Sequence, residues 1–206
     1  MIDSSDVAFW DSRYETGRTP WNFGGVPADL KAFLKRHPGG GRVFIPGCGW
    51  GYEVQAFADA GYDVTAIDLS SAAVERARKL VDGDLASRIE VADFFSHAAS
   101  AGSFDVVYER TFLCAIPPAQ RVPYRDRMAQ LLRPGGFLVG YFYYDTTDLD
   151  GEPPFGLRSG EGDELFARNF LLTRDHPVND SLPVFVGHER WQERRRTTFN
   201  RGPGTP

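Results

Sequence analysis

Gly47, Gly49 and Gly51 directly follow a short apolar run, Val43-Phe44-Ile45, and a carboxylate, Asp68, closes the next such run, Tyr62 to Ile67. Residues of these types in this order can bind a nucleoside. Glycines let a ligand approach the backbone, and a helix start beside them offers free N–H groups. A carboxylate at the tip of the neighbouring strand can accept hydrogen bonds from both ribose hydroxyls. Gly47 and Gly49 are the loop residues assigned to the ligand, with Asp68 as the ribose acceptor. A competing role for Asp68 is to cap the helix that starts near Ser70, but Ser70 or Ser71 can fill that role. The spacing disfavours a dinucleotide. A G-x-G-x-x-G loop starting at Gly47 needs its third glycine at position 52, where the chain has Tyr52.

The elements that position these residues follow from periodicity. Residues 6–16 can form a short helix, and a loop spans Gly17 to Gly25. Leu30, Phe33 and Leu34 share the inner face of a helix from Pro27 to Arg36, with Pro27 in its first turn. Val54, Phe57, Ala58 and Gly61 recur at helical spacing after the glycine loop, and Val74, Ala77 and Val81 do so within Ser70 to Val81. Strands are expected at Arg88 to Val91, Phe104 to Tyr108 and Phe137 to Tyr144. A helix over Pro118 to Leu132 is expected to end at Arg133-Pro134-Gly135-Gly136. A polar loop runs from Asp145 to Gly162. A short helix near Glu164 and two last strands, around Phe170–Thr173 and Val184–Arg194, follow it. The tail from Thr197 to Pro206 is expected to be disordered, and the Arg194-Arg195-Arg196 cluster to be a solvated strand end. Alternating strands and helices with a final strand pair predict an α/β, doubly wound, mostly parallel seven-stranded sheet with helices on both faces. Ligands in such sheets sit beyond the carboxyl ends of the strands. That places Gly47, Asp68, Asp93-Phe94 and Glu109-Arg110 at the site.

Composition narrows the class. The chain of 206 residues is expected to form a single domain, with 42% hydrophobic and 25% charged residues. A net charge of −5 disfavours nucleic acid as a partner. The start, Met1 to Asp6, is polar and acidic and is not read as a signal peptide. The longest apolar run, Phe137 to Tyr144, is too short to span a membrane. Cys48 and Cys114 make no metal or disulfide pattern, and His37, His97, His176 and His188 are scattered. The expectation is a cytoplasmic protein without metal or obligate protein partner. Cys48 reads as a small packing residue. Aromatic residues, 14% of the chain, cluster near the N-terminus and in the strand ending at Tyr144.

The G-x-G-x-G loop is similar to the one in class I methyltransferases, where it cradles the methionine part of S-adenosylmethionine. The chain resembles the thiopurine S-methyltransferase family over roughly residues 9 to 193. The resemblance is carried by Phe9-Trp10-Asp11-Ser12-Arg13-Tyr14, Thr19-Pro20-Trp21, Ile45-Pro46-Gly47-Cys48-Gly49 and Ala66-Ile67-Asp68. It continues in Ala92-Asp93-Phe94-Phe95, Glu109-Arg110 and Gly151-Glu152-Pro153-Pro154-Phe155. The proline before the glycine loop is distinctive, and Leu113-Cys114-Ala115-Ile116 looks more like the halide and thiol methyltransferase branch. The resemblance implies S-adenosylmethionine as cofactor, with contacts at Trp10, Tyr14, Trp21, Gly47, Asp68, Asp93, Phe94 and Arg110. Tyr14 departs from the family's usual tryptophan. Arg110 departs from the tyrosine of the plant halide enzymes.

Methyl transfer from a sulfonium is an in-line displacement. A soft nucleophile such as a thiolate, thiopurine, hydrosulfide, thiocyanate or halide needs no general base. Aromatic walls and a cation then suffice, and no catalytic acid or base is assigned. Trp10, Tyr14, Trp21 and Phe23 form an aromatic set that can close as a lid within residues 1–26, or can simply pack that segment onto the core. Asp93 can accept from the adenine amine while Phe94 covers a ring face; the alternative is a strand-end turn with Phe94 in the core. Arg110 can contact the cofactor carboxylate or support an anionic substrate, or can pair with Glu109 or Glu53. Glu109 can bind the methionine ammonium or serve a structural pair. Trp21, Phe23 and Tyr144, the last on the strand's carboxyl end, are the expected substrate contacts. Two other functions stay open: an O- or N-methyltransferase of a small metabolite, which would require a base, and a non-catalytic S-adenosylmethionine-binding module.

Overall fold

The computed structural model describes residues 4–147 and 151–198. Its helices are α1 (Val7–Glu15), α2 (Ala28–Arg36), α3 (Tyr52–Asp59), α4 (Ser71–Leu80), α5 (Arg121–Leu131) and α6 (Glu161–Phe166). Its strands are β1 (Arg42–Pro46), β2 (Asp63–Asp68), β3 (Ile89–Val91), β4 (Phe104–Arg110), β5 (Leu132–Tyr143), β6 (Phe170–Pro177) and β7 (Glu189–Arg196). The strands form one sheet in the order β3-β2-β1-β4-β5-β7-β6. The pairs from β3 across to β5 are parallel, and β7 is antiparallel to both β5 and β6. The chain leaves β1 towards β2 and β3 on one side and later towards β4 and β5 on the other. The crevice at this switch lies beyond Pro46 and Arg110, where doubly wound sheets bind ligands.

Strand alternation divides the core into two layers. Val43, Ile45, Val106, Tyr108, Val139 and Tyr141 face Leu30, Phe33, Val54, Phe57, Val74 and Ala77 of α2, α3 and α4. Phe44, Val107, Leu138 and Phe142 face Tyr124, Met128, Leu165 and Phe166 of α5 and α6. Full burial of each such side chain stabilises the fold by roughly 1.5–3 kcal/mol. Ser70 caps α4, its hydroxyl accepting from the Ala73 N–H at 3.2 Å, so the cap leaves Asp68 for other work.

The structure departs from the sequence expectations at the later elements. β5 begins at Leu132 rather than Phe137. Gly135 takes a φ of +76°, and a side chain at Gly136 would meet the Asp105 carbonyl oxygen at 2.9 Å, so these glycines let the chain run on past β4 through a register shift instead of stopping it. Pro118–Gln120 is a separate 3₁₀ turn before α5, and Pro123 falls in the first turn of α5, where no intrahelical partner exists for an N–H. The last strand begins at Glu189, and Val184-Phe185-Val186 belong to turns closed by Phe185 N–H to Leu182 O (2.8 Å) and His188 N–H to Phe185 O (3.0 Å). Arg194 is not solvated. It is buried, pairs with Asp163 at 2.9 Å and lies 4.8 Å above the Phe166 ring, fastening α6 to β7. Within the tail, Thr197 is held by two hydrogen bonds to the Asn169 carbonyl. Residues 199–206 of the expected disordered tail lie outside the described residues. Among the described residues no helix is long and apolar enough to cross a membrane.

Candidate functional site

The glycine loop is built by necessity of backbone shape. Gly47, Gly49 and Gly51 have φ of +59°, +52° and +80°, a region in which other residues are strained. The Cys48 N–H donates to the Ile67 carbonyl at 2.9 Å and ties the loop to the end of β2. Close approach adds a second constraint. A Cβ on Gly47 would lie 2.6 Å from the Phe112 ring, and one on Gly49 would lie 2.8 Å from the Tyr14 hydroxyl. Gly51 instead packs on Ala77 of α4. The Cys48 thiol is buried and pushed up by that burial, which suits packing and not redox chemistry.

Asp68 ends β2 beside this loop. One carboxylate oxygen accepts from the Gly49 N–H and the other from the Ser70 N–H, both at 2.9 Å. Burial pushes its carboxyl up to about 6, against the pull of the two amides. Asp93 follows β3 and is exposed; it accepts from the Phe95 N–H and the Ser96 hydroxyl at 3.0 Å. Phe94 is buried, its ring centroid 5.1 Å from that of Phe112 and 6.3 Å from that of Phe44, so it serves the core and presents a margin to the site.

The N-terminal segment is docked across the strand ends. Asp11 accepts from the Ser70 hydroxyl at 2.6 Å, Arg76 donates to the Tyr14 carbonyl at 2.7 Å, and Arg13 pairs with Glu152 at 3.0 Å. Trp21 packs edge-on against Trp10 and Tyr14, at 5.6 and 6.0 Å between centroids, and its ring N–H donates to the Tyr14 hydroxyl at 3.3 Å. Trp10 donates to the Ser4 carbonyl at 2.7 Å.

Between this segment and the strand ends lies a cavity of about 530 Å³, in the range of small-molecule sites. Trp10, Tyr14, Trp21, Gly47, Asp68, Asp93 and Phe94 all line it. An adjoining recess of about 60 Å³ shares Tyr14, Trp21, Gly47 and Thr111 with the cavity. Gly49, Phe23 and Arg110 face this recess and not the larger cavity. Arg110 lies 4.9 Å below the Phe23 ring and 4.6 Å from that of Tyr141; its Nε is 3.8 Å from Glu53, the pairing that competes with a ligand role. The Arg110 Nη2 is buried and has no hydrogen-bond partner among the described residues.

Two expectations are corrected. Tyr144 does not line the cavity. Its hydroxyl accepts from the Gln192 amide at 3.1 Å and sits where a side chain on Gly162 would be, because its place just past the end of β5 turns it towards α6. Glu109 neither lines the cavity nor pairs with Arg110. Its side chain leaves β4 on the opposite face and is fully buried.

The structure adds walls that periodicity could not assign. Thr111, Phe112, Cys114 and Ile116 follow β4, Pro153 and Pro154 come from the long loop, and Val184 and Phe185 come from the turns before β7. The Pro153-Pro154 pair was legible only as part of a family motif, and Phe185 had read as strand. None of the four histidines lines the cavity or the recess, and the described residues contain no cluster of metal-ligating side chains.

The buried carboxylate, the left-handed glycines and the apolar cavity fit an adenosyl sulfonium ligand, and the comparisons with known proteins agree. The chain is 33% identical over 174 residues to the probable thiol methyltransferase 2 of Arabidopsis thaliana, covering 80% of this chain and 74% of that one. It is 31% identical over 150 residues to the thiocyanate methyltransferase 1 of Brassica oleracea, covering 71% and 66%. Among solved structures, the 1,6-didemethyltoxoflavin-N1-methyltransferase of Burkholderia thailandensis, with S-adenosylhomocysteine bound, superposes with a TM-score of 0.75 at 22% identity over 93% of this chain and 87% of that one, which shows the shared fold. Residues 5–198 match the model of the family described as thiopurine S-methyltransferase, so nearly the whole chain, site included, belongs to the thiopurine S-methyltransferase family.

Proposed function

We propose that this chain moves the methyl group of S-adenosylmethionine to a small sulfur nucleophile, with halide ions as the second class of acceptor. Methyl transfer with this cofactor is the activity of the family. The choice of sulfur rests on one observation: the cavity wall away from Asp68 and Asp93 is mostly proline, aliphatic and aromatic, its polar members being Ser4, Ser5, Arg13, Thr111, Cys114 and Gln120, with no histidine or lysine. Such a wall suits an acceptor that arrives ionised or ionises easily, and it offers nothing that could deprotonate an alcohol or amine.

The cofactor supplies an electrophilic methyl on a sulfonium. Asp68 accepts from the ribose hydroxyls, Asp93 and Phe94 receive the adenine, and Gly47 and Gly49 admit the ligand to the backbone. Arg110, with its unpartnered Nη2, reaches the carboxylate end through the recess. Trp10, Tyr14 and Trp21 close the cavity and exclude water, so residues 1–26 act as a lid on a single domain. An aromatic face beside a sulfonium is favourable by about 0.5–2 kcal/mol. Alignment of the two reactants supplies the larger share of catalysis, on the order of 7–11 kcal/mol. The net charge of −5 and the small cavity support a free small molecule, handled in the cytoplasm without nucleic acid, membrane or obligate protein partner, as the substrate.

A methyl-transfer assay over simple thiols, hydrosulfide, thiocyanate, iodide and a thiopurine tests this. Highest turnover on a sulfur acceptor is expected. Exclusive activity on an alcohol or amine would establish the base-dependent alternative, and cofactor binding without transfer to any acceptor would establish a binding module.

A further inference from the structure

Glu109 is the most heavily engaged buried carboxylate near the site, and the methyl-transfer chemistry leaves it without a role. Only 1% of it is exposed. Its Oε1 accepts from the Phe112 N–H at 2.9 Å and the Leu113 N–H at 3.0 Å, and its Oε2 accepts from the Tyr124 hydroxyl at 2.5 Å. A carboxylate taken out of water is costly unless several donors meet it, and here three do. The amides it holds belong to a strained turn. Thr111, with φ of +58°, is the only residue other than glycine with positive φ among the described residues, and a β-branched side chain strongly disfavours that region.

What the turn carries is the ring of Phe112. That ring fills the space a side chain on Gly47 would need and packs edge-on against Phe94 at 5.1 Å. On its far side it meets Tyr124 at 6.0 Å. Phe112 therefore bridges the glycine loop and the expected adenine contact. The Phe112 and Leu113 N–H groups go to the Glu109 carboxylate, while the turn's carbonyls are taken within the loop, Phe112 O by the Ala115 N–H at 3.0 Å and Thr111 O by the Cys114 thiol at 3.4 Å.

We propose that Glu109, seconded by Tyr124, is a positioning residue that clamps the Thr111–Leu113 turn and so sets Phe112 as the wall against which the cofactor is received. The inference rests on the cofactor reading above and concerns how this chain prepares that site. Tyr124 reaches Glu109 from α5, so the clamp also joins the helix to the end of β4. The groups facing the carboxylate are the Tyr124 hydroxyl, the two amides and the Cys114 thiol, which stays protonated because burial and Glu109 both push it up.

The test is a double-mutant cycle on S-adenosylhomocysteine affinity, measured by calorimetry with Glu109→Ala, Phe112→Ala and both together, each checked for folding by thermal denaturation. Glu109→Ala is expected to weaken binding roughly tenfold or more in the wild-type background. In the Phe112→Ala background the same change should cost less than about threefold, since no ring remains to be misplaced. Glu109→Gln keeps a carbonyl oxygen for both amides and should bind within about threefold of wild type. If Glu109→Ala does not fold, Tyr124→Phe replaces it, with a smaller loss that again vanishes beside Phe112→Ala. Equal losses in both backgrounds, or a Gln variant as weak as the Ala variant, would overturn the clamp. Wild-type protein that does not bind S-adenosylhomocysteine would instead overturn the cofactor reading.

Discussion

Asp68 should make cofactor affinity depend on pH in a direction that can be worked out beforehand. Its carboxyl is held at about 6, against 3.8 for an unperturbed group, with burial as the first cause. Ionising it inside the fold therefore costs about 3 kcal/mol relative to water. Ribose hydroxyls donate, so they favour the ionised form, and the bound carboxyl must have a lower pKa than the free one. Binding is then strongest above pH 6 and weakens as pH falls through that value. Hydrogen bonds to a charged acceptor are worth about 1.5–3 kcal/mol, which corresponds to a bound pKa lower by roughly one to two units; the full loss of about ten- to a hundredfold is reached only below the bound pKa, and at pH 5 the loss is about five- to tenfold. Calorimetry with S-adenosylhomocysteine from pH 8 down to pH 5 measures this. Asp68→Asn, or Asp68→Ala, should weaken binding at pH 8 by roughly ten- to a hundredfold, and the Asn variant should flatten the profile. Any titration of the ligand itself survives in that variant and can be subtracted. A wild-type affinity constant from pH 8 to pH 5, or a folded Asp68→Ala variant of unchanged affinity, would refute the ribose role.

Removing residues 1–24 takes away Trp10, Tyr14 and Trp21 but no strand, so the sheet should persist while cofactor affinity drops more than roughly tenfold; full-rate methylation by the truncated chain would mean that the rings only pack. Activity towards a simple thiol should rise through the thiol's own pKa, near 8.5, while activity towards iodide stays flat over the same range. Arg110→Met should lower turnover on both acceptors without altering either profile, and a bell-shaped iodide profile would contradict a base-free mechanism. Phe185→Ala opens the acceptor side, and should raise the acceptor KM roughly tenfold at unchanged cofactor affinity; a change confined to cofactor affinity would move Phe185 to the other half of the site.

Much of this protein is written locally. The alternation of apolar strands with helical repeats, the glycines after β1 and the carboxylate at the tip of β2 each depend on residues adjacent in the chain, so the fold and the meeting of Gly47 and Asp68 at the strand ends were legible. The Ser70 cap was legible for the same reason. Where two readings differed only in a long-range contact, sequence could not choose. Tyr144 and Phe185 show this best: one stands directly after the carboxyl end of β5 yet turns towards Gly162 and Gln192, and the other reads as strand yet enters the cavity through a turn. Glu109 and Arg110 are neighbours in sequence, but strand alternation sends one into the α5 side of the core and the other into the recess under Phe23. Even the bulge that carries β5 through Pro134 and two glycines depends on the approach of β4. Local propensity and period decide which elements form and which residues end a strand. The packing of distant segments decides which way a side chain faces and what it touches, because those energies arise only when the chain has closed on itself.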